Sequence, residues 1–77
     1  MDIYSESQKL AEVLIEYNDS SISNKILDAI NYSSTGTEIL MKLRFCLNEL
    51  LASNTYNNPE ISELAKNILM EINKLLY

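Results

Sequence analysis

"STGTEILMKLRFCLNELL", residues 34–51, is the stretch on which the fold turns. Placed every 100° around a helical axis, Ile39, Leu40, Leu43, Leu47, Leu50 and Leu51 fall within an arc of roughly 120°, the stripe of a helix that buries one side. The residues ahead of the stripe supply a start, because Glu38 stands three positions after Thr35, the spacing of a capping box. A helix is expected over 36–53. On the same wheel Met41, Phe45 and Ala52 sit opposite Leu43 and Leu47, beside Asn48 and flanked by Glu38 and Glu49. This second apolar patch has two readings. Either the helix is contacted on two sides, with Phe45 covered by a loop or by the first helix, or the patch meets a partner as an apolar centre with a polar rim.

The rest of the chain follows the same rule. Residues 59–76 place Ile61, Leu64, Ala65, Ile68, Leu69, Ile72, Leu75 and Leu76 on one side, and Asn58-Pro59-Glu60 reads as N-cap, proline at the first helical position and acid in the first turn. Residues 3–18 carry Ile3, Leu10, Ala11, Leu14 and Tyr17 on one face, with Lys9, Glu12 and Glu16 opposite. Asp2, or Ser5 with Gln8, caps that helix. Residues 21–32 are short, with Ile22, Ile26, Ala29 and Ile30 in register after the polar "NDSSIS". "SNTYNNP" is a loop, and neither an internal repeat nor a period-2 alternation occurs. Four amphipathic helices on short connections predict an all-α, four-helix antiparallel bundle, a single domain over 1–77. The short second helix either runs beside its neighbours or lies across one end.

Composition narrows the function. A chain of 77 residues hides only about 60% of the surface it would expose unfolded, so it makes one domain of modest stability. Its net charge of -5 includes one arginine, Arg44, and lysines scattered at 9, 25, 42, 66 and 74, which form no cationic footprint for nucleic acid. A helix-turn-helix built on the second and third helices would turn through "NYSSTGT" and present Glu38, Met41, Lys42, Phe45, Asn48 and Glu49. Two acids facing phosphate argue against it. The absence of histidine removes the commonest general base and imidazole ligand, and Gly36 stands alone where a phosphate loop needs several glycines. No enzyme activity, cofactor or metal is therefore expected. Glu12 with Glu16, and Glu60 with Glu63, lie about one turn apart but bring too few oxygens for a cation and read as solvated faces and first-turn acids.

Cys46, the single cysteine, has no partner for an internal disulfide and lies beside the Leu43 and Leu47 stripe, where it reads as a core filler in a reducing compartment. "MDIYSESQKLAEVLIEY" spreads Glu6, Lys9, Glu12 and Glu16 through what would be the apolar region of a signal segment. No apolar run reaches the roughly 20 residues of a membrane span. A cytoplasmic protein with no membrane partner is the expectation.

In its short length, acidic balance, helical pattern and the segment "STGTEILMKLRFCLNELL", the chain resembles the small immunity proteins encoded beside bacterial toxins of the bacteriocin and contact-dependent growth inhibition kinds. The resemblance implies a protein that binds one cognate toxin domain, of the basic nuclease type, and blocks it through acidic and aromatic side chains. The candidates are Glu38, Met41, Phe45 and Glu49 on the third helix, with Phe45 as anchor, and Glu12 and Glu16 on the first helix as a second acidic strip. A self-associating helical module is the alternative, burying Met41 with Phe45, or Met70 with Tyr77, in a homodimer. A small regulatory protein acting by protein contacts is a further one.

Overall fold

A computed structural model describes residues 2–17, 20–53 and 59–76. Four helices account for nearly all of them: α1 (Ile3–Glu16), α2 (Ser20–Tyr32), α3 (Gly36–Ser53) and α4 (Pro59–Leu76). Local chemistry sets where they start. The Asp2 carboxylate accepts from the backbone N–H of Tyr4 at 3.1 Å and of Ser5 at 3.3 Å, so Asp2, not Ser5, caps α1. The Ser5 hydroxyl donates to the same carboxylate at 3.0 Å. At α3, the Thr35 hydroxyl oxygen accepts from the Glu38 N–H at 3.1 Å, while the Glu38 carboxylate accepts from the Ser34 N–H at 3.0 Å. The reciprocal bond of the capping box is thus made one residue upstream of Thr35. Asn58 lies outside the described residues, and Pro59 opens α4 as expected.

α1 ends at Glu16, earlier than the expected 18: the Tyr17 N–H still bonds to the carbonyls of Val13 and Leu14, but the Tyr17 backbone, at φ −96° and ψ 17°, leaves the helical region. That closing turn corrects one assignment: Tyr17 leaves the core face and is half exposed. Leu75 departs from its stripe in the same way, exposed in the last turn of α4, where fewer neighbours remain to cover it.

The helices pack as a ring in which α1 meets α2, α2 meets α3, α3 meets α4 and α4 closes on α1. α1 and α3 are diagonal, their backbones held apart, although the Tyr4 side chain reaches the start of α3 at Gly36. Two cross-helix bonds show the antiparallel sense. The buried Ser23 hydroxyl, early in α2, donates to the Ala11 carbonyl, late in α1, at 2.9 Å. Lys25, also early in α2, pairs with Glu49, late in α3, at 2.8 Å. α2 therefore runs beside its neighbours and does not lie across the end. The centre is filled by Leu10, Leu14, Ile26, Leu43, Leu47, Ile61, Ile68 and Ile72, all fully buried. Ser7 is buried among them, and its hydroxyl has no partner among the described residues.

Candidate functional site

Because α3 turns Leu43, Cys46, Leu47 and Leu50 inward, the positions half a turn away must face outward, and the structure leaves them uncovered. Phe45 is 69% exposed and Met41 54%. The reading in which a loop or the first helix covers Phe45 is overturned, since α1 stands diagonally across the bundle from α3. Beside these side chains an open groove of about 910 Å3 runs between α2 and α3. Ala29 and Cys46, both buried, lie at its base, and Tyr32, Met41 and Phe45 form its apolar rim. Tyr32 is 79% exposed, the most of any large apolar side chain among the described residues.

Charge along this groove is internally matched. Lys42 reaches Glu38 at 3.0 Å one turn away on α3, and Lys25 spans from α2 to Glu49. The Ser34 N–H first, then Lys42, hold the Glu38 carboxyl below its ordinary value. Exposed pairs of this kind add little stability and are screened by salt, but they cancel the field that either acid would otherwise project. Across both helices Lys25, Lys42 and Arg44 balance Asp28, Glu38 and Glu49, so α2 and α3 together carry no net charge. Burial pushes the Cys46 thiol up, with Glu49 adding to the effect, so the thiolate is suppressed and the sulfur acts as packing.

Of the residues picked from the sequence, Glu38, Met41 and Phe45 share the groove, and Glu49 joins them through Lys25. Glu12 and Glu16 do not. They are exposed on α1, on the side away from its buried Leu10, Ala11 and Leu14, and α1 is diagonal to α3. The acidic strip and the Phe45 patch therefore leave the molecule at opposite corners. The strip has apolar company of its own: Ile15 and Tyr17, both about half exposed, lie at the same end of α1 as Glu12 and Glu16. With its cap, α1 carries Asp2, Glu6, Glu12 and Glu16 against Lys9 alone.

Sequence reasoning passed over Asp28 and Ile15, and took Tyr32 only as one of five tyrosines able to make amphipathic contacts. Tyr32 and Asp28, one turn apart and off the α2 stripe, carried a usable signal; Ile15 belongs neither to the core face nor to the acidic side drawn for α1, and its exposure is what marks it. Met70 is exposed on α4, and Tyr77 lies outside the described residues. Among the described residues no group of three or more acidic or sulfur side chains converges as a metal site, and no helix is long and apolar enough to cross a membrane. No protein-family model, no curated protein and no solved structure matches this chain.

Proposed function

We propose that this chain is a non-catalytic protein-binding module that neutralises a basic toxin domain, as the immunity proteins it resembles do, and that the α1 corner makes the contact. The observation that carries the reading is the segregation of charge. The acid surplus lies away from the α2/α3 face, and α1 joins Glu12 and Glu16 to the exposed Ile15 and Tyr17. Exposed apolar side chains on the two flanks of the acidic strip supply affinity on desolvation, while the acids between them set the approach rate and exclude acidic competitors. Tyr17 takes the anchoring role that the sequence reading gave to Phe45, because Phe45 stands on the neutral side.

The test is capture from cell lysate on immobilised protein, with proteins identified by mass spectrometry. Wild type and Phe45→Ala are expected to retain the same basic protein. A Glu12→Lys/Glu16→Lys variant should lose it at least about tenfold, and so should wild type in roughly 0.5 M salt, where screening shortens the reach of exposed charge. Retention unchanged by the charge reversal, or no basic protein retained at all, would sink the reading.

A further inference from the structure

The α2/α3 face is too neutral to attract a basic domain and too apolar to be ordinary surface, so it calls for an occupant of different chemistry. We infer that it binds a second copy of this chain, in a two-fold symmetric dimer with Phe45 on the axis. Three observations carry the inference. Phe45, Met41 and Tyr32 project into solvent around one groove, on a chain small enough that little apolar surface can be spared. α2 and α3 together carry no net charge while α1 with its cap carries a surplus of acids, so two copies meet with less repulsion along the α2/α3 side than along α1.

The third observation is that the charges along α3 complement themselves. Lys42 stands three residues before Phe45 and Glu49 four after it, on the same outward side. When α3 packs antiparallel to its mate about an axis through Phe45, Lys42 of each copy comes opposite Glu49 of the other. A two-fold interface requires this reciprocity. The whole flank of a molecule 31 × 23 × 20 Å across projects to roughly 600–700 Å2, which limits the dimer to the small end of specific interfaces, about 600 Å2 per partner. The dimer leaves both α1 corners facing outward, so it operates independently of the contact proposed for α1.

Sedimentation equilibrium over a concentration series reads this directly. Wild type is expected to dimerise, and Phe45→Glu to remain monomeric with unchanged helical circular dichroism and, in dilute solution where wild type is monomeric too, an unchanged melting temperature, since most of the ring is exposed on the single chain. Lys42→Glu and Glu49→Lys should each weaken dimerisation about tenfold or more, and the two together should restore most of it. Lys42 and Glu49 are not partners within the chain, so that rescue reports contact between copies. A monomer up to about 1 mM would assign the face to a different protein and overturn the inference. So would a dimer that survives Phe45→Glu, or a double variant as weak as the singles.

Discussion

Two buried serines show how far a single hydroxyl decides its own value. Ser23 and Ser7 are both wholly buried, but Ser23 donates to the Ala11 carbonyl and Ser7 has no partner among the described residues. Burying an unpaired hydroxyl costs about 1–3 kcal/mol, whereas a satisfied one contributes about 0.5–1.5. Ser7→Ala should therefore raise stability by about 1 kcal/mol and Ser23→Ala lower it by a similar amount, in opposite directions on a urea melt. Their polarity hid both serines, yet spacing places them inward: Ser7 lies one turn from Ile3, Leu10 and Ala11 on the α1 stripe, and Ser23 one turn before Ile26. Phe45 was legible in the other sense. Its angular position relative to Leu43 and Leu47 put it outside the stripe, but whether a loop covered it depended on α1 and α3 being diagonal, which no spacing within one helix encodes.

At the scale of the element, the helices read well because each carries its own start signal and a stripe of period 3.6. α3 and α4 begin and end as the residues suggest, and α1 stops two residues early, where the Tyr17 backbone leaves the helical region. Two of the caps are charged, and this sets an acid limit on stability. The backbone N–H of Ser5, with help from its hydroxyl, holds the Asp2 carboxyl below its ordinary value, as the Ser34 N–H does for Glu38. A depressed carboxyl stabilises the fold fully above its unfolded value of about 4, and that contribution is lost as pH falls through the lower folded value. Melting temperature should accordingly hold from pH 7 to about 5 and decline below about 4. Asp2→Asn, which keeps a capping oxygen but no charge, combined with Glu38→Gln should flatten the acid limb in melts taken between pH 6 and pH 3.

For the molecule as a whole, a domain of this size has roughly 4–12 kcal/mol of stability to lose. Leu47 is fully buried in the middle of α3. Leu47→Ala should cost about 2–5 kcal/mol, a large share of that reserve, while Phe45→Ala, two positions away, should stay within about 0.5. Chemical denaturation of the pair checks the assignment of inside and outside. The diagonal placement of α1 and α3 has one more consequence. With its acid surplus at one corner and a neutral corner opposite, the monomer is an electric dipole, and a distant cation turns it before drawing it in. Two copies joined at their neutral corners oppose those dipoles, so the pair loses its heading and offers an acid corner on each side. Dielectric relaxation, which senses tumbling dipoles, would then fade as the protein is concentrated, although every added molecule carries the same charge.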